Sequence, residues 1–130
     1  MSLLLLDTTF LIDAERGGID LDDAIDDDVA IAAVTVAELL VGVKLAAAKR
    51  RKGRRAYVDE IIESLPIIAY DRKVAVEHAD LLVTVRGQGR PRGAHDLLIA
   101  ATAKASDRMV LTADENVFAG LPGVATISHR

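Results

Sequence analysis

The sequence predicts a three-layer α/β/α fold built around a central parallel sheet of about four to five strands. Short apolar runs without alternation, such as 3-LLLL-6, are typical of strands covered on both faces. Helical segments separate these runs, which indicates parallel pairing through crossover helices. With 130 residues, of which 51% are hydrophobic, we expect one compact domain spanning residues 1–130.

The elements follow in order along the chain. The predicted strands are Leu3–Leu6, Val29–Ala33, Leu65–Ala69, Met109–Thr112 and Val124–Ile127. The predicted helices are Thr9–Glu15, Leu21–Asp26, Thr35–Lys49, Ala56–Glu63, Asp71–Arg86 and Asp96–Ser106, and the fourth is open to extension into the basic segment before it. Thr35, with Glu38 three residues on, has the spacing of a capping box, and an Asp opens each of the last two helices. The loop 87-GQGRPRGAH-95 is the clearest break.

The composition excludes several classes of protein. The chain has no cysteine, so it forms neither disulfides nor thiolate metal sites. No apolar run approaches the ~20 residues of a membrane span, and 1-MSLLLLDTTF-10 lacks the basic region of a signal peptide. These features fit a cytoplasmic protein without membrane association. With no tryptophan, two Phe and two Tyr, an aromatic platform that stacks RNA bases is not expected.

Charge is segregated along the chain although the net charge is only −4. Residues 1–28 hold nine acids and one base, whereas 44-KLAAAKRRKGRR-55 holds seven of the sixteen Lys and Arg and no acid. Such segregation favours a nucleic-acid partner, and a solvated helix face explains the basic segment equally well.

Four acids are predicted at one edge of the sheet. Asp7 ends the first strand, Glu38 lies in the first turn after the second strand, Asp96 opens a buried helix, and Asp114 follows the strand 109-MVLT-112. In a parallel sheet, strand C-termini and the following helix N-termini share an edge, where ligands bind. Converging carboxylates repel unless a cation neutralises them, and an all-oxygen site suits Mg²⁺ or Mn²⁺.

Each acid also has a purely structural explanation. Asp96 is a common type of helix cap, Glu38 fits a capping box, and Asp114 in 112-TADEN-116 fits a turn. Asp7 is equally consistent with a ligand or a cap. Asp71 lies at the same edge, and we interpret it as an N-cap.

Four segments together resemble a known family. They are 3-LLLLDTTFLID-13, 32-AAVTVAELLVGV-43, 93-GAHDLLIAATA-103 and 110-VLTADENVF-118. In this order and spacing they resemble the PIN-domain ribonucleases, and most of all the VapC toxins of type II toxin–antitoxin pairs. The resemblance covers essentially the whole chain and implies a PIN-like fold and an endoribonuclease that depends on Mg²⁺ or Mn²⁺.

The resemblance also implies roles for individual residues. Asp7, Glu38 and Asp96 match the core acids, with Asp7 and Asp96 as the most direct metal ligands. Asp114 is the best match for a fourth acid, but Val117 stands where the family often has an acid, so Asn116 is the next candidate. The hydroxyls of Thr8, Thr9 and Thr112 match family positions and would hold a carboxylate or a water, or form local caps. His95, beside Asp96, is interpreted as a loop residue.

The remaining expectations concern partners. Arginines are expected to bind the RNA phosphates, and the candidates are Arg86, Arg90 and Arg92 before Asp96, with Arg50 and Arg51 in the basic segment. The resemblance implies a homodimer and inhibition by a VapB-type antitoxin, in a heterotetramer or larger assembly. The apolar stretch 36-VAELLVGVKLAAA-48 would contribute contacts, or serve simply as a core helix.

Three other readings remain open. A haloacid-dehalogenase-like phosphatase also begins with an apolar strand and Asp, but it uses a second Asp where this chain has Thr9. A receiver domain needs an acidic pair after the first strand and a late Lys, and neither is evident. A non-enzymatic interaction module of the same fold would use the acids as caps alone.

Overall fold

A five-stranded parallel sheet forms the centre of the protein. The computed structural model describes residues 3–18, Leu21 and residues 28–128. Within them the strands are β1 (Leu3–Leu6), β2 (Asp28–Ala32), β3 (Ile67–Ile68), β4 (Met109–Thr112) and β5 (Thr126–Ser128). They pair in the order β3-β2-β1-β4-β5, all parallel. The predicted α/β class and parallel sheet are therefore confirmed.

Helices cover both faces of the sheet. In the described part of the chain they are α1 (Thr8–Gly17), α2 (Ala33–Leu45), α3 (Ala48–Ser64), α4 (Arg72–Gln88), α5 (Ala94–Ala105) and the 3-10 helix Glu115–Phe118. Side chains of α1, α2 and α3 pack on one face, and those of α4, α5 and the 3-10 helix pack on the other. The result is the predicted three-layer α/β/α arrangement.

The central strand shows why its sequence is uniformly apolar. Leu4 and Leu6 point into the core beneath α1, α2 and α3, whereas Leu5 points into the core beneath α4 and α5. Successive side chains of a strand point to opposite faces of the sheet, and since both faces are covered by helices, the side chains on both faces are buried. Leu5 and Leu6 are both fully buried, and only Leu3 at the open end of the strand is exposed.

Several predicted boundaries are wrong by a few residues. The third strand shrinks from Leu65–Ala69 to two paired residues, and the fifth is shifted from Val124–Ile127 to Thr126–Ser128. The predicted helix Ala56–Glu63 is continuous with the basic segment as the long helix α3, and Thr35–Lys49 is shortened at its end to Leu45. The predicted helix Leu21–Asp26 lies outside the described residues except for Leu21, which is helical.

The N-cap predictions divide. Asp71 caps α4 as predicted, and its carboxylate accepts a hydrogen bond from the Val74 N–H at 3.0 Å. The capping box at Thr35 is wrong, because α2 begins at Ala33 and its N-cap, Ala32, makes no side-chain bond. Asp96 is likewise not a cap, because α5 begins at Ala94 after Gly93.

Across the described residues, no helix combines the length and apolarity that crossing a membrane requires.

Candidate active site

The sheet topology creates a crevice beside the central strand. After β1 the chain enters α1 in one layer, whereas after β4 it enters the 3-10 helix in the other layer. Neighbouring strands whose connections diverge in this way leave a cleft at their C-terminal ends, where α/β proteins bind ligands. Asp7 follows β1 and Asp114 follows β4, so both acids lie at this point.

The four predicted acids lie near enough to influence one another. The pKa of Asp96 is raised above its ordinary value of 3.8, mainly by burial and then by the charges of Asp7, Glu38 and Asp114, while His95 opposes the shift. Glu38 reaches this place from α2, and Asp96 from the first turn of α5. The structure therefore brings together the four carboxylates that were predicted to share one edge.

Asp7 is an almost fully buried acid held by three donors. Its Oδ1 accepts from the Thr8 N–H at 2.9 Å, and its Oδ2 accepts from the hydroxyls of Thr9 at 2.7 Å and Thr112 at 2.8 Å. Burial raises its pKa, the three hydrogen bonds oppose that rise, and the charge of Glu38 adds to it. Asp7 is also the N-cap of α1, so the structural explanation and the ligand prediction are compatible.

Backbone donors determine which way the two hydroxyls point. The Ala113 N–H donates to Thr9 Oγ1 at 3.2 Å, and the Asp114 N–H donates to Thr112 Oγ1 at 3.0 Å. Because each hydroxyl already accepts a backbone hydrogen, its own proton is free to be directed at Asp7. The ionised form of Asp7 is thereby favoured against the cost of its burial.

A second hydroxyl cluster positions Glu38. Thr8 Oγ1 donates to Glu38 Oε1 at 2.7 Å and lies 3.1 Å from Thr35 Oγ1. Thr35 is completely buried, so the residue predicted as a helix cap instead packs against the site. His95 Nδ1 lies 3.3 Å from Glu38 Oε2, and His95 belongs to α5, so its assignment to the loop is wrong.

Asp114 has the local role that its sequence context allowed. It is the N-cap of the 3-10 helix, and its Oδ1 accepts from the Asn116 N–H at 3.1 Å. A metal-ligating role for Asp114, or for Asn116, stays a prediction. Within the described residues the Asp96 carboxylate, by contrast, accepts no hydrogen bond, which leaves its lone pairs open.

Two clefts open beside the acids and meet at Asn116. The larger, of about 680 Å³, is lined by Thr9, Ile12, Asp13, Arg16, Ala113, Asp114, Glu115 and Asn116. The smaller, of about 200 Å³, is lined by Arg90, Pro91, Arg92, Gly93, Asp96, Asn116 and Val117. Both clefts are lined in part by charged and polar side chains, and each includes one of the four acids.

The predicted RNA-binding arginines occupy different settings. Arg86, Arg90, Arg50 and Arg51 are exposed, and Arg90 lines the smaller cleft. Arg92 is half-buried, and its guanidinium donates to the carbonyls of Val117 and Ala119. Arg92 thus joins the loop before α5 to the 3-10 helix, a contact that its sequence neighbours do not reveal. RNA contacts of all five stay predictions.

The donor set suits a hard cation. Among the described side chains, no group of three or more acids or histidines is arranged to coordinate a metal ion together. Mg²⁺ does not require such a cage, because it keeps several waters and binds through one or two carboxylates. Asp7 and Asp96 offer only oxygen donors and the charge of Asp7 raises the pKa of Asp96, as two carboxylates near a cation site would; that they bind a metal stays a prediction.

Comparison with known proteins agrees with this geometry. The family model of the PIN domain matches residues 4–123, and the chain belongs to the PIN domain family. It is 37% identical over 123 residues to ribonuclease VapC5 of Mycobacterium tuberculosis, covering 94% of this chain and 90% of that protein.

Solved structures show the same fold. The crystal structure of VapBC-5, from the VapBC family of toxin–antitoxin systems of Mycobacterium tuberculosis, matches with a TM-score of 0.80 and 31% identity, covering 98% of this chain and 99% of that one. VapBC2 from Rickettsia felis, bound to a promoter DNA fragment, matches with a TM-score of 0.86 at 23% identity, covering 98% and 99%. The latter supports the fold alone.

Proposed function

We propose that this protein is the toxin of a type II toxin–antitoxin system and acts as a Mg²⁺- or Mn²⁺-dependent endoribonuclease. The observation that carries the proposal is the convergence of Asp7, Glu38, Asp96 and Asp114 at the crevice beside the central strand, where burial and the charges of the other three acids raise the pKa of Asp96. Kinship with ribonuclease VapC5 supports RNA as the substrate.

The proposed chemistry is hydrolysis of an RNA phosphodiester bond. A bound divalent cation would supply Lewis acidity and an activated water. Asp7 and Asp96 would hold it, and Glu38, whose Oε1 accepts from Thr8 and whose Oε2 lies beside His95 Nδ1, would use a remaining lone pair to bind the metal or to accept a hydrogen bond from water. Asp114 or Asn116 would complete the site from the opposite wall. Thr9 and Thr112 donate to Asp7 and oppose the rise of its pKa on burial, which favours the ionised form that a cation requires.

RNA must approach a strongly acidic site, so cationic side chains have to offset the repulsion. Arg90 lines the cleft that contains Asp96 and is our first choice for a phosphate contact. Arg86 is exposed near the end of α4, and Arg50 and Arg51 belong to the exposed N-terminal part of α3. Arg92 would contribute mainly by holding the loop.

The proposal extends to partners and location. The VapBC-5 relative comes from a toxin–antitoxin system, which supports a VapB-type antitoxin as the inhibitor here. We propose a homodimer that assembles with the antitoxin into a heterotetramer or larger complex in the cytoplasm. Val41 and Leu45 on α2 expose apolar side chains that the core of this protein does not cover. A partner that buried them would remove this apolar surface from water, which supports a role for α2 in those contacts.

The decisive experiment is cleavage of total cellular RNA by purified, antitoxin-free protein with Mg²⁺, with Mn²⁺ and with EDTA. Asp96→Asn serves as the control for contaminating nuclease, because it removes the proposed metal-binding charge from a side chain that makes no hydrogen bond to the described residues. Discrete fragments that require the metal and disappear with Asp96→Asn are expected. Equal cleavage by Asp96→Asn, or cleavage in EDTA, would refute the assignment.

A further inference from the structure

Gly93 precedes α5 as its N-cap, yet its backbone does not require glycine. Its φ of −63° and ψ of 135° are available to any residue. What excludes a side chain is space: a Cβ built on Gly93 would lie 2.6 Å from Asp96 Oδ2 and 3.4 Å from Asp96 Cγ. The Asp96 carboxylate therefore occupies the volume that the side chain of residue 93 would fill.

We propose that Gly93 is a positioning residue for Asp96, whose carboxylate can lie back over the first turn of α5 only because residue 93 has no side chain. Side chains on a helix point toward its N-terminus, which directs Asp96 at Gly93 three residues earlier. The Leu97 N–H donates to the Gly93 carbonyl at 3.1 Å, and this hydrogen bond holds the backbone of residue 93 close to the first turn of α5.

The inference rests on the proposed metal-dependent function and deepens it. Asp7 and Glu38 are held in place by hydroxyl donors, but Asp96 has no hydrogen bond within the described residues. Packing must therefore select its rotamer, and the carboxylate lies directly over the space where a side chain of residue 93 would stand. Gly93 also lines the smaller cleft together with Asp96, so a side chain there would intrude on the site itself.

The test is Gly93→Ala. The atom in the way is the end of a short side chain rather than backbone, so Asp96 rotates and the fold is retained. The melting temperature should stay unchanged or rise, because alanine restricts the unfolded chain at a backbone conformation that it tolerates. The affinity for Mn²⁺, measured by calorimetry, should nevertheless fall about 10- to 100-fold, the usual loss when the support of a metal ligand is removed.

A matched control is Gly53→Ala. Gly53 lies inside α3, and a Cβ there meets no atom within 4 Å. This variant carries the same chemical change and should raise the melting temperature, with Mn²⁺ affinity and RNA cleavage equal to the wild type. A loss shared by both variants would overturn the inference, because it would come from replacing glycine in general.

A double-mutant cycle connects the effect to Asp96. In an Asp96→Asn background, adding Gly93→Ala should cause no further loss of Mn²⁺ affinity, because the group through which Gly93 acts has lost its charge. A full additive loss would overturn the inference. Crystal structures of the wild type and Gly93→Ala should show the Asp96 carboxylate displaced, and an unmoved carboxylate with wild-type Mn²⁺ affinity would refute it.

The two proposals can fail separately. A wild type that binds Mn²⁺ but cleaves no RNA would refute the ribonuclease, and Gly93→Ala would then be judged on Mn²⁺ affinity and the position of Asp96. A wild type without Mn²⁺ affinity would overturn both.

Discussion

Thr112→Val tests whether a buried hydroxyl supports the acid site. Thr112 is completely buried, donates to Asp7 Oδ2 at 2.8 Å and accepts from the Asp114 N–H at 3.0 Å. Valine keeps the shape and loses both bonds. A hydrogen bond to a charged group contributes about 1.5–3 kcal/mol, and an unsatisfied buried donor costs about 1–3 kcal/mol. Because the Asp114 N–H is only partly buried, its loss counts at the low end of that range, and the metal-free protein should lose about 2.5–4 kcal/mol of its free energy of unfolding.

Urea denaturation at pH 7 in EDTA measures this loss. Thr112→Ser is the control, because it keeps the hydroxyl and removes one methyl group, at a cost of about 1 kcal/mol. Serine should therefore be the milder substitution although it departs further from the original shape. The reasoning is refuted if Thr112→Val unfolds within about 0.5 kcal/mol of the wild type, a change typical of inert surface sites.

The penalty should also depend on pH with a definite sign. The Thr112 hydroxyl lowers the pKa of Asp7 and thus stabilises its ionised form, whereas burial raises the pKa above 3.8. The destabilisation by Thr112→Val should be greatest above the folded-state pKa of Asp7 and shrink as the pH falls through it. A penalty independent of pH would indicate that the hydroxyl serves packing alone.

Further predictions concern other residues. In the metal-free protein, Asp96→Asn should be more stable than the wild type, increasingly so as the pH rises. An acid with a raised pKa stabilises the fold fully below 3.8 and loses that contribution as the pH rises through its folded-state pKa. Unfolding curves at several pH values check this. Mg²⁺ at 100 times its wild-type dissociation constant should stabilise the wild type by about 2.7 kcal/mol, and Asp96→Asn by much less, in thermal unfolding. Arg92→Gln should lower the free energy of unfolding by about 1–3 kcal/mol through its lost hydrogen bonds to carbonyls, as denaturation would show. The exposed Arg90→Gln should weaken RNA binding alone, as filter binding would show. Tyr57→Phe should lower the free energy of unfolding by about 1 kcal/mol without affecting cleavage, because the hydroxyl donates to the Leu11 carbonyl at 2.7 Å. In the wild type, titration followed by absorbance should place the pKa of Tyr57 at about 12, raised by burial and by nearby Glu15 and Glu60.

The strands and the acids at their ends could be predicted because the sequence features that determine them are local. A run such as 3-LLLL-6 has no polar face, so it must be covered on both sides, and whatever follows it lies at the sheet edge. Asp7 and Asp114 inherit their positions from β1 and β4 in this direct way.

The helix starts were harder to predict because tertiary contacts override local capping. Thr35 has the residue type and spacing of a cap, but its hydroxyl lies beside that of Thr8, 27 residues away. Asp96 has the same residue type as Asp71, and only Asp71 caps its helix, because α5 begins at Ala94 with Gly93 as its N-cap. Residue type alone cannot distinguish these outcomes.

The role of Arg92 could not be predicted for a different reason. Its partners, the carbonyls of Val117 and Ala119, lie about 25 residues further along the chain in a segment without a donor or acceptor pattern of its own. A basic residue in a glycine-rich loop predicts an exposed cation, and nothing nearby indicates that this one is tied to the backbone.

The distance along the chain between Asp7 and Thr112 has a consequence for protein synthesis. These hydrogen-bonded residues are 105 positions apart. At about 5–20 residues per second, roughly 5–20 s pass between the translation of the aspartate and that of its threonine. A growing chain on the ribosome thus carries an unfinished acid site until β4 has emerged, because Asp7 lacks its Thr112 donor until then.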